Sequence, residues 1–102
     1  MCVALVDATS GMMLGEAGSG IDMELACAGN TEVVRSKLKT MKSLNLHDHI
    51  EHILITLGKQ YHIIRPLESK PEIFLYMVLD KPKSNLALAR RALLDASNSI
   101  KF

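Results

Sequence analysis

The chain of 102 residues contains no tryptophan, only two tyrosines and only two phenylalanines. So few rings leave the core to Leu, Ile, Val, Met and Ala, and leave little on which nucleic-acid bases could stack. Two cysteines, Cys2 and Cys27, are too few and too far apart for a disulfide framework or a zinc pattern. A reducing, cytoplasmic compartment is the expectation. Neither sign of charge is in surplus: 12 Lys and Arg face 11 Asp and Glu, for a net charge of +1, which singles out no class of partner. No apolar run approaches the roughly 20 residues of a membrane span. The opening MCVALVD has no basic flank and meets Asp7 too early for a signal peptide.

What is present reads as a folded chain. Apolar residues make up 48% and charged residues 23%, and the length suits one domain over residues 1–102. CVALVD at 2–7 and MMLGEAG at 12–18 are short apolar runs around the turn residues ATSG, a β-hairpin pattern. GSG at 18–20 is a break. Ser19 or Asp22 can cap a helix over 22–44, in which Val34, Leu38 and Met41 fall at helical spacing. Gly29-Asn30 is its weak point. Arg35, Lys39 and Lys42 form a second stripe on that helix. IEHILITL at 50–57 and YHIIRPL at 61–67 form a second hairpin about a turn at 58–60. IFLYMVLD at 73–80 is apolar throughout, as a strand covered on both faces would be. Ser84 can cap a last helix over 85–98, lined by Leu86, Ala89 and Leu93. The order ββ-α-βββ-α predicts an α+β fold, one five-stranded antiparallel sheet flanked by helices.

Candidate chemistry is sparse. All four histidines lie in HDHIEHILITLGKQYH at 47–62. A metal needs three or four convergent ligands at about 2 Å. Strand parity and the turn at 58–60 keep His62 away from His52, so no metal or other cofactor is expected. LGKQ lacks the remaining letters of a phosphate loop, and GEAGSG lacks the spacing of a dinucleotide loop. Cys2 and Cys27 sit at apolar positions without a base beside them, so no catalytic residue is expected. The Arg35, Lys39, Lys42 stripe reads as a solvated helix face or the rim of a protein interface, not a nucleic-acid site. A long apolar strand at 50–57 on a sheet edge would be a liability unless a second copy paired with it across a two-fold axis.

The stretches VALVDATSGMMLGEAG, DMELACAGNTEVVRSKL and HILITLGKQYHIIRPL resemble the Roadblock / dynein light chain family, in order and over nearly the whole chain. The resemblance implies a profilin-like sandwich and a non-enzymatic, homodimeric scaffold or regulator, associated in bacteria with small Ras-like GTPases. It implies a dimer built from the long helix and the edge strand, here Val34, Leu38, Met41, Ile50, His52, Leu54 and Thr56. Arg35, Lys39, Lys42, Leu86 and Leu93 would then face a partner. Family members begin with a helix ahead of the first hairpin, whereas this chain opens on the strand. An apolar patch beside Leu86, Ala89 and Leu93, and assembly beyond a dimer, are therefore expected. The alternative is a small-molecule-sensing domain of the same fold, for which six methionines would line an adaptable pocket.

Overall fold

A computed structural model describes residues 1–18 and 21–100. Its elements are β1 (Cys2–Asp7), β2 (Met12–Gly18), α1 (Met23–Ser43), β3 (Ile53–Thr56), β4 (Gln60–Pro66), β5 (Ile73–Asp80), a 3-10 turn (Lys81–Lys83) and α2 (Leu86–Ser99). All neighbouring strands pair antiparallel. The sheet order is β2-β1-β5-β4-β3, so the all-apolar strand takes the centre. This is the expected α+β architecture with the expected element order.

The strands alternate between two layers, as their period of two requires. On one face Cys2, Ala4, Val6, Ile64, Phe74, Tyr76 and Val78 pack with Met23, Cys27 and Val34 of α1. On the other, Ile63, Leu67, Ile73, Leu75 and Leu79 pack with Leu93 of α2. Small side chains at Cys2 and Ala4 let α1 lie close to the sheet.

The first hairpin is fixed by its turn. Asp7 Oδ1 accepts from the Thr9 amide at 2.9 Å and from the Thr9 hydroxyl at 2.6 Å. These bonds hold the Asp7 carboxyl below its ordinary pKa. Gly11, at φ +75°, closes the turn through its amide to the Asp7 carbonyl. At the far end Gly18 has φ +88°, and a Cβ there would stand 2.3 Å from the Met1 carbonyl oxygen. No side chain fits that approach.

Helix α1 starts at the Asp22 cap, which accepts from the Leu25 amide at 3.2 Å. Ser19, the other candidate cap, lies outside the described residues. The helix runs unbroken past Gly29 and ends where Asn45 takes φ +57°. The Leu46 amide reaches back to the Met41 carbonyl at 2.9 Å, with Asn standing where glycine usually ends a helix. Helix α2 is capped by Asn85, whose Oδ1 accepts from the Leu88 amide at 3.1 Å. The cap expected at Ser84 therefore falls one residue later, on a side chain equally suited to it.

The third strand is shorter than its apolar run. Only Ile53–Thr56 pair, with Ile53 opposite Ile64. Continuing that register would oppose Glu51 to Pro66, which has no N–H to give. The Arg65 guanidinium takes the Glu51 carbonyl instead, at 3.2 Å.

Arg35 ties the layers together. Its Nε donates to the Ala8 carbonyl at 2.8 Å, a second guanidinium nitrogen donates to the Thr9 carbonyl, and a third meets Glu32 at 3.2 Å. A side chain expected to face a partner thus clamps the first hairpin to α1. Arg35→Ala should lower unfolding free energy by about 1–3 kcal/mol, read by urea denaturation. Lys39→Ala, one turn on and exposed, should stay within about 0.5 kcal/mol. Equal effects from the two would refute the clamp.

Candidate functional site

The histidine-bearing segment does not converge. His47 and His49 are exposed on the connection after α1, and His49 lies 3.5 Å from the neighbouring Asp48 carboxylate. The half-buried His52 meets Arg90, whose guanidinium lies 3.3 Å from its Nε2. His62 points to the α1 layer, opposite Ile55 of β3 and Val78 of β5. Among the described residues no group of three or more His, Cys, Asp or Glu side chains is placed to hold a metal ion.

His62 sits in a hydrogen-bonded chain. Gln60 Oε1, 3.0 Å from its Nε2, can only accept, so Nε2 carries the proton. Its Nδ1 then accepts from the Tyr76 hydroxyl at 2.7 Å. Burial holds the His62 pKa below its ordinary value and pushes that of Tyr76 up. It also raises the thiol pKa values of Cys2 and Cys27, which keeps both protonated and unreactive.

The residues expected at a dimer interface separate into two groups. Val34 is fully buried and Met41 is buried under α1, so neither has area left for a second chain. Leu54 packs into the α2-side core. Leu38 and Ile50 line a recess of about 430 Å³ with His49, Leu67 and Pro71. Thr56 is exposed at the end of β3, and Lys39 and Lys42 are exposed on α1. Of the α2 residues expected to face a partner, Leu93 is buried and Leu86 half-buried against the sheet. Leu88 of α2 is exposed, and further apolar surface lies over β1 and β2, where Val3, Leu5, Gly15, Ala17 and Leu75 line a shallow depression. The apolar side of α2 is already used on the α2-side core.

Helix α1 carries a second apolar stripe that the spacing of Val34, Leu38 and Met41 does not include. Leu25 is 72% exposed, Val33 39% and Leu44 64%. Gly29 and the exposed Ser36 and Thr40 lie between them, and a Cβ at Gly29 would meet nothing within 4 Å. The signal was available as residues 25, 29, 33, 36, 40 and 44, at steps of four and three. The sheet ends at β3, whose outer edge has no partner strand among the described residues, while α1 makes its main sheet contacts with β1 and β2. No helix among them is long and apolar enough to cross a membrane.

No protein-family model matches the chain, and no curated protein matches it in sequence. Solved structures do match. One is MglB of Myxococcus xanthus, with a TM-score of 0.81 at 20% identity over 95% of this chain and 76% of that one. A Roadblock/LC7 domain from Streptomyces avermitilis gives 0.79 at 12% identity over 96% and 79%. A structure described as MglB with a tetrameric arrangement gives 0.75 at 11% identity over 96% and 71%. The chain has the Roadblock/LC7-type fold.

The position of His62 carries a pH signature. Its folded pKa lies below the unfolded 6.5, so the unfolded chain binds more protons between the two values. Stability is therefore full above the unfolded value and falls as pH drops below it. Urea unfolding between about pH 7 and about pH 5 should show this loss, and His62→Gln should flatten it. A wild-type profile no steeper than that of the variant would remove His62 as the cause.

Proposed function

We propose that this chain is a non-catalytic regulatory module that acts as a homodimer on a small Ras-like GTPase in the cytoplasm. The observation that carries the reading is the outward stripe Leu25, Val33 and Leu44 along α1, in a Roadblock/LC7-type fold whose β3 edge is unpaired among the described residues. In the proposed dimer two copies of α1 cross at the small residues Gly29 and Ser36, and the two β3 edges approach across the two-fold axis. Leu38, Ile50, His52 and Thr56 would flank this contact. Leu54 and the buried Val34 and Met41 would support it from behind. Lys39 and Lys42 would give the assembled face its cationic side for the GTPase, with Leu86 and Leu93 holding the far layer.

Burying the stripe from both copies contributes on the order of 5–10 kcal/mol. Association costs about 4–15 kcal/mol. The helix contact alone is thus marginal, and the hydrogen bonds of the strand edge supply the remainder. The likeness to MglB supports the GTPase part of the reading. The structure described as tetrameric supports assembly beyond a dimer.

A second reading, small-molecule sensing, has one observation in its favour, the recess of about 430 Å³ beside Leu38 and Ile50. Its size suits a small ligand. Native mass spectrometry would support it by detecting a bound small molecule and would count against it by finding the bare chain.

Light scattering on the wild type and on Leu25→Glu/Val33→Glu tests the main reading. Both substituted side chains are exposed, so the fold should persist. The wild type should have twice the chain mass and the variant the mass of one chain. Addition of the wild type, but not the variant, should change the GTP hydrolysis rate of a small Ras-like GTPase from the same genome. A monomeric wild type overturns the dimer. A dimer without effect on any such GTPase overturns the partner.

A further inference from the structure

On the layer away from the α1 stripe, a groove of about 600 Å³ runs between α2 and the segment that leads into β3. Its apolar floor is Ile63 of β4 with Ala87, Leu93 and Leu94 of α2. Three arginines, Arg65, Arg90 and Arg91, line it against a single lining carboxylate, Glu51. None of the readings above uses this cluster.

The arginines are positioned rather than neutralised. Arg65 Nε is 3.2 Å from the Ser97 hydroxyl, and another Arg65 nitrogen donates to the Glu51 backbone carbonyl. Arg90 donates to His52, whose Nε2 must accept because a guanidinium cannot. These acceptors are uncharged. Among the described residues, only Arg91 of the three has a carboxylate partner, Asp95 at 3.5 Å. A guanidinium has five N–H donors, so Arg65 and Arg90 each keep donors to spare. Fixed guanidinia of this kind suit the planar, two-oxygen geometry of carboxylates.

We propose that this groove binds an acidic peptide segment of a partner protein, with apolar side chains on Ile63 and Leu93 and carboxylates on Arg65 and Arg90. The apolar floor decides against a bare phosphate, which would gain nothing from it. No Phe, Tyr or Trp ring lines the groove, and the one imidazole there, His52, is engaged by Arg90, which disfavours a stacked base. The groove lies on the α2 layer and depends on neither the proposed dimer nor the GTPase reading.

The test is fluorescence anisotropy with a short labelled peptide of alternating glutamate and leucine, on the full chain. A glutamate–serine peptide, a lysine–leucine peptide, inorganic phosphate and a single-stranded oligonucleotide serve as competitors. The glutamate–leucine peptide should bind saturably and none of the competitors should displace it at equal concentration. Arg90→Gln/Arg91→Gln should weaken binding about ten- to hundredfold, the loss expected of charge-assisted hydrogen bonds. Lys83→Gln removes an exposed charge outside the groove and should leave the affinity unchanged. Unfolding temperatures of both variants, matched to the wild type, exclude misfolding as the cause. Arg65→Met keeps the stem and removes the spare donors, and should weaken the peptide in the same sense. Absence of saturable binding overturns the proposal. So does equal loss in Lys83→Gln, or displacement by phosphate or by the oligonucleotide at peptide concentration.

Discussion

The structure depends on β5 being apolar on both of its faces. Ile73, Leu75 and Leu79 serve one core, and Phe74, Tyr76 and Val78 the other. A strand of that kind cannot lie on an edge or leave a face to water without exposing several large side chains. It therefore takes the centre, recruits β1 and β4 on its flanks, and requires a helix on each face. The hairpins then supply the outer strands, and the chain has no cheaper arrangement for the same residues. The Tyr76 hydroxyl brings a polar group to this centre. The Tyr76–His62–Gln60 chain accounts for it, and among the described residues no buried side-chain polar atom is left without a partner.

Much of this was legible from one sequence because the signals were local. Short apolar runs around turn letters marked β1 and β2, a continuous apolar run marked β5, and cap letters marked both helices. The misplacements arose where a distant group decided the outcome. The apolar run at 50–57 looked like eight residues of strand, yet Pro66 and the Arg65 side chain on the neighbouring strand limit the ladder to Ile53–Thr56. Arg35 looked like one member of a surface stripe. Only the fold brings the Ala8 and Thr9 carbonyls, 27 and 26 residues earlier, to its guanidinium.

The outward stripe of α1 was harder to read for a different reason. Helix α1 carries two apolar stripes, one through Val34 and Met41 and one through Leu25, Val33 and Leu44. Periodicity finds both but does not say which faces the sheet. The inward stripe has the small residue Cys27 and the polar but satisfied Thr31, whose hydroxyl bonds the Cys27 carbonyl at 2.8 Å. The outward stripe has Gly29, Ser36 and Thr40. Small residues alone therefore do not distinguish the two sides. The arginine groove was hidden more deeply, because its members come from α2, β4 and the connection before β3.

The two borders of the sheet are unequal. Along β2 the register breaks between Leu5 and Val6, with Leu5 opposite Gly15 and Val6 opposite Met13, so that Leu14 is an inserted residue. Such a bulge twists the strand and spoils its regular row of hydrogen-bonding groups. The β3 border has no such break. A sheet that can extend in one direction only does not propagate. Joining β3 to β2 of the next copy would build an open fibre, whereas joining β3 to β3 ends after a single step. In the proposed β3-to-β3 dimer, the extra residue in the first hairpin would leave the opposite border ill suited to pair with a further copy.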